Sequence, residues 1–320
     1  MAQKDLYSKV ATFTLVVGLL LNIWGCGEKH VAILDLVPER GSMLLNIDLP
    51  IVAQDSDLSQ IVNIDDLRLS LNEIQINPKT VTQLVAFGDL RIQSRGEDYY
   101  GMILQGNYNA KRKLQDLERS GWKKDHYAGS DLYYQSGSKE YMSSLKKDAI
   151  GFGTLDAIKD ILDVKNGRKK PATSLSVCSK LLSCSSGSHA PVMIYMIVPQ
   201  NTLDIGYAGM EMLGTGLNLI GVGAIGTIMG KIGLVHGLSM SINHSRDVFP
   251  VELSCMMQNE TAASLISGSL NLLKSITSMI PSNQMSPQDR QNMESFNSIR
   301  ISRNEKVLIV NMIMPHDGFR

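Results

Sequence analysis

Four Ser-x-x-Lys patterns could supply a nucleophilic serine with a lysine as its base. They are Ser120/Lys123, Ser136/Lys139, Ser143/Lys146 and Ser144/Lys147. Serine enzymes of this type also carry Ser-Asp-Asn and Lys-Thr-Gly elements, and neither element occurs in the chain. Gly-x-Ser-x-Gly and His-Glu-x-x-His are absent as well. These patterns therefore identify no catalytic nucleophile and no zinc-binding histidine pair.

Residues 221–226 spell Gly-Val-Gly-Ala-Ile-Gly, the spacing of the dinucleotide-binding fingerprint. That fingerprint binds a pyrophosphate only where it joins a strand to a helix, with an acidic residue about 20 positions later. Here it lies inside an apolar run predicted to be helical, and residues 235–247 offer only Asp247 as the acidic partner. The six histidines form no i, i+4 ligand pair, and the short acidic clusters lack the glycine and distal glutamate of a calcium loop. We expect no cofactor and no metal.

The N-terminus, residues 1–25, is predicted to be a secretory signal peptide. Two lysines precede an apolar run at 10–23, which is shorter than the roughly 20 residues of a membrane-spanning helix. The following Ile-Trp-Gly-Cys at 23–26 resembles the lipobox of bacterial lipoproteins. The resemblance implies lipidation of the Cys26 thiol, cleavage before it and acylation of the new amino terminus. The alternatives are an uncleaved anchor helix or an ordinary signal peptide followed by a coincidental cysteine.

The lipobox resemblance places the chain in the bacterial cell envelope, bound to a membrane through its lipid anchor. Two or more acyl chains provide stable anchoring, whereas a single chain binds only marginally. Gly27 follows the lipidated cysteine, where an aspartate would favour retention at the inner membrane in enterobacterial-type sorting. The outer membrane is therefore the expected location.

The three remaining cysteines are Cys178, Cys184 and Cys255. Export places them in an oxidising compartment, where a pair can persist as a disulfide. Cys178 and Cys184 lie close together in a serine-rich segment predicted to be a loop, so we predict that they form a disulfide, with free thiols as the alternative. Their spacing is not that of a redox or zinc pair. Cys255, in an apolar strand-like run, is predicted to be a small buried hydrophobic residue.

Composition excludes several classes of protein. Of 320 residues, 43% are hydrophobic and 19% are charged, which is typical of neither a disordered chain nor a polytopic membrane protein. The 31 basic and 31 acidic residues balance, and the chain after residue 25 keeps 29 basic against 30 acidic residues. A surface that binds nucleic acid needs a clustered basic excess, so we predict no nucleic-acid partner.

The elements of the first half alternate between strand and helix. After a lipidated tether at 26–41, a first unit is predicted over 42–164. An Asn109-led helix follows a predicted hairpin, and Thr154 is expected to cap the last helix of the unit. The predicted strands are 42–49, 81–93, 99–105, 132–135, 140–145 and 149–153, and the predicted helices begin at Asp57, Ala110 and Leu155.

The second half restarts after a polar, serine-rich linker at 165–190. A second unit is predicted over 191–315, followed by a C-terminal tail at 316–320. Its predicted strands are 192–199, 237–244, 248–257, 298–303 and 306–314, and its helices are 208–232 and 261–280. The apolar stretch 213–235, in which Lys231 is the only charged residue, is predicted to be a glycine-rich core helix, with a membrane- or lipid-contacting helix as the alternative.

Both halves share an order of elements, and residues 99–117 and 249–270 correspond best. We therefore predict an α+β fold of two similar units, each an antiparallel sheet with helices packed on one face. The sequences at 101–108, 126–133 and 149–158 resemble uncharacterised families of exported bacterial lipoproteins in the rhythm of their glycines and aromatic residues. This resemblance covers about 40–315 and implies the same fold. Those families bring no catalytic residues to carry over.

These observations lead to one expected function and one alternative. We expect a lipid-anchored envelope protein that acts as a binding or scaffolding module for another envelope protein, without catalysis. The alternative is a carrier or sensor of a hydrophobic, lipid-like ligand held between sheet and helices. The methionine- and glycine-rich segment 206–240 suggests that alternative, because methionine lines adaptable apolar sites.

Overall fold

The computed structural model describes residues 33–89, 98–184, 190–197, 235–243, 245, 248–277 and 297–315. The predicted signal peptide, Cys26, the glycine fingerprint, the tail and all of the run 213–235 except Val235 lie outside these ranges. The described residues up to Ser176 form unit 1, and those from Val177 onward form unit 2. The division falls inside the predicted linker.

Unit 1 contains seven strands of an antiparallel sheet, in the order β1-β2-β3-β7-β6-β5-β4. Its strands are β1 (Met43–Asp48), β2 (Val81–Gly88), β3 (Tyr100–Gly106), β4 (Lys123–Tyr127), β5 (Ser130–Tyr134), β6 (Glu140–Lys146) and β7 (Ala149–Thr154). Its helices are α1 (Leu49–Gln54), α2 (Ser56–Ile61), α3 (Ile64–Glu73), α4 (Ala110–Arg119) and α5 (Leu155–Lys165), with 3-10 turns at Pro78–Thr80 and Ala172–Ser174. The predicted α+β fold with antiparallel strands is confirmed.

Local sequence signals account for the helix that joins β3 to β4. The Asn109 side chain accepts a hydrogen bond from the Arg112 N–H at 3.0 Å, which caps the first turn of α4. Gly121 follows the helix with φ of 92°, a left-handed conformation that glycine adopts without steric cost. Leu114 and Leu117 form the buried face of α4, as predicted.

The helices of unit 1 lie on both faces of its sheet, so the prediction of helices on one face is wrong for this unit. A Cβ atom at Gly151 would lie 3.4 Å from Ile158 of α5. Phe152, the next residue, points to the opposite face. It pairs with Met142 of β6, which in turn pairs with Tyr133 of β5, so the three side chains lie on the same face. Tyr133 and Met142 are buried on that face, and α4 contacts both β5 and β6. Alternation along β7 thus puts α5 on one face and α4 on the other.

Residues 33–41, predicted to be part of a tether, are packed into unit 1. Ile33 and Val37 are fully buried. A hydrogen bond runs from the Ala172 N–H to the Val37 carbonyl at 2.7 Å, and Pro38 and Pro171 form a β-bridge. Apolar side chains in this segment bury surface that a solvated tether would leave in water.

Unit 2 contains five strands in the antiparallel order β8-β9-β10-β12-β11. Its elements are α6 (Ser176–Cys184), β8 (Val192–Ile197), β9 (Val235–Ile242), β10 (Val248–Met257), α7 (Glu260–Thr277), β11 (Arg300–Asn304) and β12 (Val307–Pro315). The predicted pairing of the two closing strands around Asn304-Glu305 is confirmed, because Asn304 pairs with Val307.

The predicted linker is largely structured. It contains a 3-10 turn and α6, whose Leu181 is fully buried. A Cβ atom added at Gly237 of β9 would lie 2.3 Å from Val177 and 3.2 Å from Leu181, so α6 packs closely on that strand. Among the helices that the structure describes, none has the length and apolar character needed to span a membrane.

Two strands that end the strand orders are polar. On β4, the residues from Lys123 to His126 are exposed, and on β11 both Arg300 and Arg303 are exposed. The sequence analysis missed β4 as a strand, because its side chains show no apolar alternation.

Candidate functional site

An open cleft in unit 1 is lined mainly by charged side chains. Its volume is about 830 Å³. Three segments form it: the turn after residue 37, the end of β4, and α5 together with the chain that follows α5. We call it the charged cleft, and it is lined by Pro38, Glu39, Arg40, Tyr127, Asp156, Lys159, Asp160, Lys169 and Lys170.

The spacing of residues on α5 presents one charged face to the cleft. Asp156, Asp160 and Asp163 lie at i, i+4 and i+7, so they share a stripe along the helix. The opposite side packs on the sheet through Ile158 and Ile161, both fully buried. The same periodicity that buries α5 therefore aligns its three carboxylates.

A glycine turn brings basic residues back onto this stripe. α5 ends at Lys165, and Gly167 follows with φ of 69°. The N–H groups of Arg168 and Lys169 both donate to the Asp163 carbonyl, at 2.7 and 3.2 Å. Such a left-handed residue after a helix is a common C-terminal signal. It reverses the chain so that two cations face the carboxylates of the helix that they follow.

Asp160 is buried at 8% exposure, and each of its oxygens has a donor. The Tyr99 hydroxyl donates to Oδ2 at 2.9 Å, and the Lys169 ammonium donates to Oδ1. This hydrogen bond raises the pKa of Lys169 and keeps it charged. Burial, with the Asp160 charge, raises the pKa of Tyr99 far above its usual value, so its hydroxyl stays a donor.

Asp163, at 7% exposure, is held in the same way. Arg168 lies 2.8 Å from its Oδ1, the Tyr127 hydroxyl donates at 3.2 Å to Oδ2, and Lys169 lies 3.7 Å from that oxygen. Burial and this hydrogen bond raise the pKa of Tyr127. We call Asp160, Asp163, Tyr99, Tyr127, Arg168 and Lys169 the Asp160–Asp163 cluster.

The segment at 38–40 closes another side of the cleft. The Glu39 N–H donates to the Lys170 carbonyl at 3.1 Å, which fixes the two segments side by side. Arg40 lies 3.3 Å from Asp89 and 4.2 Å from the centre of the Tyr99 ring. The cation thus stacks on an aromatic face while it pairs with a buried carboxylate.

The charged cleft is suited to binding. The carboxylates at its base are neutralised by cations of the protein itself, which is unlike a metal site, where the carboxylates bind the ion. Within the described ranges, no three His, Cys, Asp or Glu side chains are grouped as metal ligands. The remaining charged side chains point to recognition of a charged ligand.

A second, apolar cleft of about 250 Å³ lies between α1, α3 and the turn at Pro78–Thr80. Leu49, Ile64, Leu67, Leu71 and Val81 line it with buried side chains, and Arg68 and Lys79 are also part of its lining. We call it the apolar cleft. Its volume is just below the roughly 300 Å³ at which pockets for small organic ligands begin.

The predicted disulfide between Cys178 and Cys184 stays a prediction. Both residues belong to α6, which the sequence analysis expected to be a loop. A helix rises about 1.5 Å per residue, so six residues span about 9 Å, beyond the roughly 7 Å that a disulfide allows between Cα atoms. Pairing requires the end of α6 to unwind. Cys255 is fully buried, as predicted, and burial raises the pKa of its thiol.

The charged cleft does not follow from the sequence patterns described above. Three aspartates inside an amphipathic helix, followed by a glycine and three basic residues at 168–170, are the available signal. We interpreted that basic run as part of a polar linker. Tyr99 directly precedes β3, and Tyr127 is the last residue of β4. Nothing in the sequence shows that both side chains lie beside α5.

No protein-family model matches the chain, and no curated protein is similar to it. Crystal form I of TP0453 has a TM-score of 0.47 and 12% identity, and the match covers 89% of this chain and 93% of that chain. Crystal form III of TP0453 has a TM-score of 0.46 and 13% identity over 89% and 94% of the two chains. At this level, the likeness carries no conclusion about function.

Proposed function

We propose that this chain is a lipid-anchored binding module of the bacterial cell envelope, acts without catalysis, and uses the charged cleft as its binding site. One observation carries the proposal. The cleft combines an open volume of about 830 Å³ with a base whose side chains are already fixed by buried ion pairs. A rigid base reduces the entropy lost when a ligand binds.

The shifted pKa values of the cleft's titratable groups favour ligand binding over proton transfer. A general acid or base works best when its pKa lies near the operating pH. Here the pKa values of Tyr99, Tyr127 and Lys169 are all raised, so the hydroxyls stay protonated and the ammonium stays charged near neutral pH. These groups are placed to hold charge and to donate hydrogen bonds.

The anchor is tested by the intact mass of protein extracted with detergent from membranes of a bacterial host. We expect a chain that begins at Cys26 and carries acyl groups, with the predicted outer membrane as its location. Cys26→Ala should abolish both the cleavage and the added mass. An acylated Cys26→Ala protein, or a wild-type chain processed at another residue, would contradict the anchor.

The binding site is tested by site-specific photo-cross-linking in the intact cell envelope. A photoreactive residue replaces Lys170 in the cleft, or Lys111 on the exposed surface of α4 as the matched control. We expect a discrete cross-linked product from position 170 that disappears when Lys159 is also changed to Gln. Equal products from both positions, or none from 170, would show that the cleft is not the binding site.

The alternative function is a carrier or sensor of a hydrophobic ligand. The apolar cleft favours it, because buried leucines line it and two cations lie close to them. A carrier should bind a lipophilic dye and gain thermal stability from lipid extract. Leu67→Gln should remove both effects while leaving cross-linking from position 170 unchanged. If neither effect is seen in the wild-type protein, the carrier function is wrong.

We also propose that the two units share a common design. Two corresponding strand-to-helix connections support this. Asn109 caps α4 after β3, and the Asn259 side chain accepts from the Ala262 N–H at 2.8 Å to cap α7 after β10. A repeated cap at the same step of each unit is what a duplicated arrangement would retain.

A further inference from the structure

The ionic side chains of the charged cleft fall into two sets. The first set is neutralised within the protein: Lys169 and Arg168 are paired with Asp160 and Asp163, and Arg40 is paired with Asp89. Each of these carboxylates is buried, so the pairs are part of the protein's own structure. Three cations and three carboxylates cancel, and this set has no net charge.

The second set is Glu39, Asp156, Lys159 and Lys170. None of these four side chains forms an ion pair with any residue that the structure describes. Lys159 lies over the Tyr127 ring, 5.4 Å from its centre, which holds the ammonium at the cleft without neutralising it. Two cations and two carboxylates therefore line one cleft, and their charges sum to zero.

This balance decides which ligands gain from the cleft. A simple anion is attracted by Lys159 and Lys170 but repelled by Glu39 and Asp156. A simple cation is attracted by the two acids but repelled by the two lysines. A molecule that carries both charges can place each one against its opposite. Repulsion between like charges weakens binding of ligands that carry only one kind of charge, which adds specificity.

Given the proposed function of the cleft, we propose that its ligand is a small zwitterion of the peptide class, an amino acid or a short peptide with free amino and carboxyl termini. Its carboxylate is attracted by the lysines Lys159 and Lys170, and its ammonium is attracted by the acids Glu39 and Asp156. The cleft's volume of about 830 Å³ lies within the roughly 300–1,000 Å³ range of small-ligand sites.

Three matched peptides test the proposal by isothermal titration calorimetry on the full-length, detergent-solubilised protein. Tri-alanine has both charges, N-acetyl-tri-alanine has only the negative charge, and tri-alanine amide has only the positive charge. Tri-alanine should bind at least about fivefold more tightly than either capped peptide, which corresponds to about 1 kcal/mol. Equal affinity for all three peptides, or no binding of tri-alanine, overturns the proposal.

Paired variants then test the polarity of the site. Lys159→Gln with Lys170→Gln should make the protein prefer tri-alanine amide over the acetylated peptide. Glu39→Gln with Asp156→Asn should produce the opposite preference. Lys111→Gln, on the exposed surface of α4, is the matched control and should leave all three affinities unchanged. An unchanged preference in both paired variants contradicts the assignment.

A lipid headgroup can carry the same two charges as a peptide. Glycerophosphocholine, a free headgroup, tests whether the cleft prefers that source. Tighter binding of glycerophosphocholine than of tri-alanine would overturn the peptide assignment. The proposed function fails separately: if cross-linking from position 170 depends on the cleft while no peptide binds, the binding site stands and the ligand class is wrong.

Discussion

Asp160 shows how a carboxylate can be kept inside unit 1. Burying an unpaired charge is costly, but each Asp160 oxygen receives a hydrogen bond, one from Tyr99 and one from Lys169. Without that charge, Lys169 keeps only the more distant Asp163, 3.7 Å away, as its partner. The Tyr99 hydroxyl and the half-exposed Lys169 ammonium both lose a charged acceptor, and hydrogen bonds to charged groups are stronger than those between neutral groups.

We expect Asp160→Asn to lower the free energy of unfolding by about 1–3 kcal/mol, as for loss of a partner of a charged, partly buried group. Asp116→Asn is the matched control, since Asp116 pairs with Arg119 at exposed positions of α4. It should change stability by less than about 0.5 kcal/mol. Urea unfolding followed by circular dichroism measures both variants, and equal losses would show that the cluster has no special role in stability.

We expect His236 on β9 to make the stability of the protein depend on pH. Burial, with the Lys306 charge nearby, lowers the pKa of His236 below its usual value of 6.5. The unfolded chain therefore takes up this proton at a higher pH than the folded chain, and stability falls as pH falls below about 6.5. His236→Gln should flatten the dependence of the unfolding free energy on pH between about 7 and 5. Parallel curves for variant and wild type would contradict this.

At the scale of elements, the sequence was informative where a local signal and a buried face coincide. The helices α4 and α5 are predicted from their apolar spacing, and both exist. Asn109 caps α4 as predicted, whereas Thr154 stands at the N-cap position of α5 but its hydroxyl donates to the Tyr100 carbonyl and makes no capping bond. β4 was missed, because its place is set by pairing with β5 and not by alternation of its own side chains. α6 was missed because a serine-rich composition is typical of loops.

The candidate site was harder to predict than the elements that carry it. Asp160 and Lys169 are close in sequence, but Tyr99 and Arg40 come from segments far away along the chain. Their meeting depends on the order of strands in the sheet and on which face α5 covers. Neither follows from local periodicity, and the expectation of helices on one face was itself wrong.

The space around the Cβ position predicts opposite effects of alanine at two glycines. Gly153 has φ of 152°, and a Cβ atom there would lie 2.4 Å from the Tyr100 carbonyl oxygen. Gly153→Ala should therefore lower stability by about 1–3 kcal/mol. Gly268, in the exposed middle of α7, has no atom within 4 Å of the Cβ position. Gly268→Ala should raise stability by about 0.5–1 kcal/mol. Thermal unfolding of the two variants would contradict the packing argument if both changes had the same sign.

At the scale of the whole molecule, each unit has its own protected centre. In unit 1, β3 lies between β2 and β7, and in unit 2, β10 lies between β9 and β12. Strands with a hydrogen-bonded neighbour on both sides and buried side chains open last, while strands at the end of an order open more readily.

Hydrogen exchange followed by mass spectrometry should therefore divide each unit in the same way. Amides of β3 and β10 are expected to exchange slowest, and those of β4 and β11 fastest among the strands. The experiment measures the native protein at neutral pH, without substitutions. Protection of β4 equal to that of β3 would mean that opening does not follow strand order.

The charges on β4 have a consequence for aggregation at high protein concentration. A strand at the end of an order offers unpaired amides and carbonyls, and a second molecule could add its own strand there to begin a fibril. Lys123, Lys124, Asp125 and His126 are all exposed on β4, so an incoming copy would have to strip water from ionic groups and align like charges. The charged sequence of β4 therefore disfavours self-templated aggregation through this strand.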